Sequence, residues 1–140
     1  MITIKELTSP SKRQKILEAL WAFNSSKSPY LKDKSNYYKT VDFYAEESKN
    51  LLGGALCIIN YNWIYIDYLY VNEQMRGQDI GTKLINKIEQ YAKENNLTGL
   101  YTETFDFQAR PFYEKNGFKV IGCYENMPPN SKLWLLQKAL

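Results

Sequence analysis

The run "WIYIDYLYV", residues 63–71, alternates β-forming side chains and passes through "NEQMRGQDIG" straight into a segment with helical spacing. From Gly81 to Asn95 the apolar positions Leu84, Ile85, Ile88, Tyr91 and Ala92 recur on one helical face. "NNLTG" ends that helix, and "LYTETF" is β-rich again. A strand, a helix and a second strand in this order require a crossover, and a crossover joins parallel strands. The flanking segments read differently. "TVDFYAEES" and "LGGALCIINY" are two strands joined by "SKN", and a short turn at Tyr61-Asn62 links the second to residues 63–71. Parallel and antiparallel pairings in one sheet make a mixed α/β domain.

The remaining elements follow from local signals. "MITIKEL" alternates like a short first strand. Ser9-Pro10 reads as a helix N-cap followed by proline at N1, and Ile16, Leu17, Leu20 and Trp21 form the stripe of that helix. Residues 24–40, polar and rich in tyrosine, are either a long loop or a broken second helix. "QARPFYEKN" is a short helix stopped by Asn116-Gly117, and "FKVIGCY" and "KLWLLQKAL" are two last strands. There is no repeat, low-complexity tract or linker, so residues 1–140 are expected to form one domain.

Composition narrows the chemistry. The chain has no histidine, which removes the usual general base, the serine–histidine triad and the commonest metal ligand. Cys57 and Cys123 lie in apolar segments and read as reduced thiols rather than a disulfide or metal pair. No apolar run approaches the roughly 18 residues that cross a bilayer, and neither end carries a targeting or lipidation signal. The expectation is a cytoplasmic protein with no membrane partner. A net charge of +3 is too small to argue for nucleic acid, and the lysines and arginine at positions 12, 13, 15, 27, 32 and 34 form no platform interleaved with aromatics. The 12 tyrosines are the alternative proton donors.

Glycines where a strand enters a helix free backbone N–H groups to face a ligand at the positive end of the helix dipole, an arrangement suited to phosphate. "RGQDIG" is neither a Walker A loop nor a GxGxxG fingerprint. It resembles the [Q/R]-x-x-G-x-[G/A] signature of the GNAT superfamily of N-acetyltransferases, with Arg76 in the first position and Gly81 in the last. A second stretch, "DFQARPFYEKNGF", resembles that family's N-x-x-A-x-x-x-Y-x-x-x-G-F pattern, with Ala109, Tyr113, Gly117 and Phe118 in register. The run from "TFDFQ" to "VIG" is similar to small stand-alone bacterial members.

The resemblance implies a GNAT-type fold: a mixed, mostly antiparallel sheet of six to seven strands flanked by helices. It implies acetyl-CoA as co-substrate without a metal. The coenzyme diphosphate is expected on Gly77, Gln78, Asp79, Ile80, Gly81 and Thr82, with Arg76 adding a charge-assisted bond. Main-chain groups of Leu69, Tyr70 and Val71 are expected along the pantetheine arm, with Asp106 and Ala109 opposite. A side chain at Gly81 is expected to crowd the diphosphate.

Tyr113 is the expected general acid, protonating the thiolate that leaves. Asp67 and Glu103, with Glu125, are the candidates that take the amine's proton; Asp67 shares a strand face with Leu69 and Val71 by alternation. Tyr30, Tyr37, Tyr38, Tyr124 and Glu125 are expected around the acceptor, a small-molecule primary amine or an amino group of a peptide. A homodimer is compatible with all of this. Two positions depart from the family pattern: the central loop glycine is Asp79, and the pantetheine-supporting asparagine is Asp106. Asp79 is read either as a side-chain cap of the helix or as a charge competing with the diphosphate. The two acids also leave open a non-catalytic acyl-CoA-binding module.

Overall fold

The computed structural model describes residues 1–75 and 77–140. The chain divides into two compact units, Met1–Tyr37 and Tyr38–Leu140. In the first, Ser9 caps helix α1 (Pro10–Lys27), its hydroxyl accepting from Lys12 N–H at 3.4 Å. Residues 24–40 resolve as the broken-helix alternative. Ser28 ends α1 and caps a single turn, α2 (Pro29–Lys32), followed by a 3₁₀ turn over Lys34–Asn36. That stretch folds on itself: Asn36 Nδ2 donates to the Tyr30 carbonyl at 2.9 Å, the Tyr37 hydroxyl donates to the Leu31 carbonyl, and Lys34 Nζ lies 4.8 Å from the centre of the Trp21 ring. The expected strand "MITIKEL" does not form. Residues 1–9 carry no regular element, and the sheet's pairings run only within residues 39–139. Alternation in a short tail supplies a face but no partner, and a strand needs the partner for its backbone groups.

The second unit holds a six-stranded sheet in the order β1-β2-β3-β4-β6-β5, which fixes the strand number at six among the described residues. The strands are β1 (Lys39–Glu47), β2 (Asn50–Asn60), β3 (Trp63–Val71), β4 (Gly99–Phe105), β5 (Lys119–Glu125) and β6 (Lys132–Ala139). Two-residue turns at Ser48-Lys49 and Tyr61-Asn62, all four residues at positive φ, join β1 to β2 and β2 to β3; paired left-handed residues of this kind match the right-handed twist of a hairpin. Among the described residues only β3 and β4 are parallel, joined by α3 (Ile80–Glu94) as the crossover demands. The short α4 (Arg110–Lys115) ends at Asn116, with Gly117 at φ +88°. β6 sits between β4 and β5, so β5 is an edge strand although it comes earlier in the chain.

Helix α3 buries Ile80, Leu84, Ile85, Ile88 and Ala92, the face its spacing predicts. Of these, Ile85, Ile88 and Ala92 join Ala55, Cys57, Ile64 and Ile66 from the hairpin strands, Leu100 from β4 and Leu136 from β6 in one core. Full burial of each large aliphatic side chain contributes about 1.5–3 kcal/mol. Lys138 on β6 pairs with Glu89 on α3 and also donates to the Asn116 carbonyl at 2.8 Å, so one ammonium joins the long helix to the end of α4.

Both cysteines are free thiols, and Cys57 is only 1% exposed. Burial first, and then the charges of Asp42 and Asp67, push its pKa from 9.0 up to about 12. Below pH 9 the thiol is neutral in both the folded and unfolded chains and costs nothing. Between pH 9 and about 12 only the unfolded chain releases the proton, so stability falls as pH rises through that window. Thermal melts at pH 8 and pH 10.5 are expected to show this loss, and Cys57→Ala, less stable at pH 8 because of its cavity, is expected to show a smaller difference between the two pH values.

Candidate active site

The parallel ladder between β3 and β4 is short. Trp63 to Ile66 pair with Gly99 to Thr102, and there the strands part. On its other edge β3 stays paired with β2 as far as Val71, through a bulge at Asp67 that shifts the register between Leu56 and Cys57. The Thr102 hydroxyl, buried at the fork, donates to the Ile66 carbonyl at 2.9 Å. Past that point the β4-facing edge of β3 has lost its partner. A cleft of about 750 Å³ opens between Asp67–Val71 of β3, the loop before α3, the end of β4 and helix α4.

Arg76, with the contact expected of it, lies outside the described residues. Gly77 stands at φ +88°, with open space where a Cβ would be. Asp79 does not cap the helix through its side chain: it sits at φ +59°, ψ +22°, and its carboxylate makes no bond to the first turn. The left-handed backbone is why a glycine suits this position, and aspartate is among the few other residues that tolerate it. The first bond into α3 from the loop is Lys83 N–H to the Asp79 carbonyl at 2.9 Å. The N–H groups of Gly81 and Thr82 have no acceptor among the described residues, and Gly81 and Thr82 both line the cleft. A Cβ at Gly81 would also meet the tip of the Phe112 ring at 3.0 Å, a tight contact that asks the ring to give by a few tenths of an ångström, so α4 adds a packing reason for a small residue there.

Tyr113, 6% exposed, is held between Phe112 and Phe118, each ring centre 5.3 Å away in an edge-on arrangement. Burial raises its pKa above the ordinary 10.0; a hydrogen bond with the Thr102 side chain offsets part of this, and the neighbouring Cys57 adds to it. The phenol therefore keeps its proton through the neutral range, and it lines the cleft close to where the two strands separate.

Asp67 and Glu103 also line the cleft, one on each strand beyond the fork. Asp67 is exposed rather than buried, because the bulge breaks the alternation that placed it among core-facing neighbours. Both acids raise the pKa of Tyr65, to about 12, after the larger effect of burial. Leu69, Tyr70, Val71, Ile80 and Ala109 line the same cleft.

Other expected residues lie elsewhere. Gln78 is in the loop but not on the cleft wall. Tyr30 and Tyr37 belong to the N-terminal unit, and Tyr38 directly precedes β1. Tyr124 and Glu125 end β5, where Glu125 pairs with Lys132 at 3.8 Å. Asp106 is not among the residues that line the cleft: its carboxylate accepts from the Trp134 indole N–H and from Lys132 N–H at 2.9 Å, fastening the end of β4 to the start of β6. Thr102, Gln108, Phe112 and Lys115 line the cleft without having been singled out. The signals were present for two of them. Thr102 alternates with Leu100 on the buried face of β4, and Phe112 precedes the tyrosine of the second motif.

Residues 4–118 match the acetyltransferase (GNAT) family, a span that crosses both units. A blasticidin-S acetyltransferase of Streptomyces morookaense is 34% identical over 95 residues, which is 67% of this chain and 70% of that protein. The crystal structure of an acetyltransferase from Bacillus cereus ATCC 14579 superposes with a TM-score of 0.84 at 23% identity, covering 99% of this chain and 98% of that one. A Bacillus anthracis str. Ames chain described as a streptothricin acetyltransferase, solved in complex with acetyl coenzyme A, superposes with a TM-score of 0.66 at 26% identity, covering 72% of this chain and 62% of that one. The chain belongs to the acetyltransferase (GNAT) family and is an acetyl-CoA-dependent N-acetyltransferase.

Proposed function

We propose that this enzyme acetylates a primary amine on a small molecule by direct transfer, with both substrates bound together in the cleft at the β3–β4 fork. The observation that carries the reading is the convergence there of an uncapped helix start, an unpaired strand edge and a buried protonated tyrosine. The free N–H groups of Gly81 and Thr82, at the positive end of α3, suit a diphosphate without a metal. Leu69 to Val71 offer main-chain groups to an amide-bearing arm lying along the strand. Among the described residues no group of three or more acids and cysteines is arranged to hold a metal. The acceptor class draws on the Streptomyces relative, a blasticidin-S acetyltransferase. The family match across both units supports residues 1–140 acting as one domain.

The coenzyme supplies an activated acetyl group and a thiolate leaving group. Tyr113 gives its phenolic proton to the departing sulfur. Asp67 or Glu103, directly or through water, accepts the proton that the attacking nitrogen loses. Cys57 adjoins Tyr113 but is held protonated, which argues against an acetylated thiol and for transfer straight to the amine. Because burial raises the Tyr113 pKa, turnover is expected to rise with pH as the acceptor amine deprotonates and to fall only above pH 10. Tyr113→Phe keeps the ring packing and is expected to lower kcat by about one to three orders of magnitude, to leave the KM for acetyl-CoA nearly unchanged and to lack the alkaline fall. Steady-state kinetics over pH 6–11 checks this. Unchanged turnover would assign Tyr113 to packing alone.

Asp79 places a carboxylate beside the proposed diphosphate site. At an effective dielectric near 20, like charges several ångströms apart cost on the order of 1–3 kcal/mol before screening. The side chain caps nothing, and its φ of +59° suits glycine at least as well. Asp79→Gly and Asp79→Asn are therefore both expected to bind acetyl-CoA several-fold more tightly, with melting temperatures near the parent's and with the gain shrinking at high salt. Calorimetry at two ionic strengths decides it. Weaker binding by both variants would show that the carboxylate positions the loop.

A further inference from the structure

Gln108 follows the end of β4 and lines the cleft just before α4. Its Oε1 accepts twice, from Phe105 N–H at 3.0 Å and from the Thr104 hydroxyl at 3.3 Å. A backbone N–H can only donate, so the atom facing it must be the carboxamide oxygen; this settles which way the amide points. The Nε2 group of this exposed side chain has no protein acceptor for its two N–H donors among the described residues. The neighbour two residues earlier contrasts at every point. Both oxygens of Asp106 are occupied, by Trp134 and by the Lys132 N–H, and an ionised carboxylate has no proton to donate.

A carboxamide fixed by its oxygen on the wall of a cleft, with its donors uncommitted, suits a carbonyl. The pantetheine arm carries two amide carbonyls and crosses the cleft in the reading given above, on which this inference rests. We propose that Gln108 is the side-chain donor to a pantetheine carbonyl in this enzyme, and that Asp106 is a clamp between β4 and β6 with no contact to the coenzyme. The role of side-chain anchor for the arm has in this chain moved two residues along.

Gln108→Glu tests it, because the variant keeps an oxygen for Phe105 N–H and replaces the donors with an acceptor. Binding of acetyl-CoA is expected to weaken about tenfold, the loss of one well-placed hydrogen bond plus a misplaced charge. Adenosine 3′,5′-bisphosphate, which lacks the arm, is expected to bind the variant within twofold of the parent. Asp106→Asn is expected to lower the melting temperature, since an amide nitrogen cannot accept from Lys132 N–H, and to leave acetyl-CoA affinity unchanged. Equal affinity of Gln108→Glu and parent for acetyl-CoA, an equal loss for the bisphosphate, or tighter coenzyme binding by Asp106→Asn would each overturn the assignment. If the parent bound the bisphosphate but not acetyl-CoA, the placement of the arm would fall as well; if it bound neither, the whole coenzyme-site reading would fall.

Discussion

The site depends on where a ladder of backbone hydrogen bonds stops. Four residues of β3 pair with four of β4, and the next residues do not. The Thr102 hydroxyl takes the Ile66 carbonyl at the last rung, so the end of the ladder is finished by a side chain rather than left unsatisfied in the core. Beyond it, β3 cannot relax toward β4, because its other edge stays bonded to β2 as far as Val71 and the bulge at Asp67 re-aims the strand. The cleft is thus maintained by pairing on one side and the lack of it on the other. Its outer wall is α4, seated through Phe112 against Gly81 and through Tyr113, which packs on Phe118 in the core.

Function is divided between backbone and side chains in a consistent way. In the reading proposed above, recognition of the coenzyme falls mainly to main-chain groups at a helix start and a strand edge, and chemistry to a few side chains at the fork. Burial there has one effect on two groups: it keeps both the Cys57 thiol and the nearby Tyr113 phenol protonated at neutral pH.

Much of the fold could be read from the sequence, because long periodic segments and turn residues speak locally. β3 and the buried face of α3 fall where alternation and helical spacing put them. Three features could not be read that way. The tail "MITIKEL" alternates but forms no strand, since pattern does not specify a partner. The bulge at Asp67 reverses which residues face the core, and nothing in "YIDYLY" announces an extra residue in the pairing. The side chain of Asp106 is expected at the coenzyme arm, but a tryptophan and a backbone N–H 26 to 28 residues later take up both of its oxygens. Site residues named by a motif were legible; the contacts of Asp106, set by partners on a later strand, were not.

The contact between Gly81 and Phe112 reaches beyond this molecule. A Cβ at 81 would lie 3.0 Å from two carbons of the Phe112 ring, and 3.7 Å from a Val71 methyl. The last position of the loop and the third residue of α4 therefore press on one volume, and the choice at one bears on the other. In a family whose loops allow glycine or alanine at the last position, the residue before the tyrosine should feel that choice. A library that varies the loop while holding residue 112 as phenylalanine would fold this packing preference into whatever the coenzyme selects. Varying both together would separate a packing rule from a binding rule.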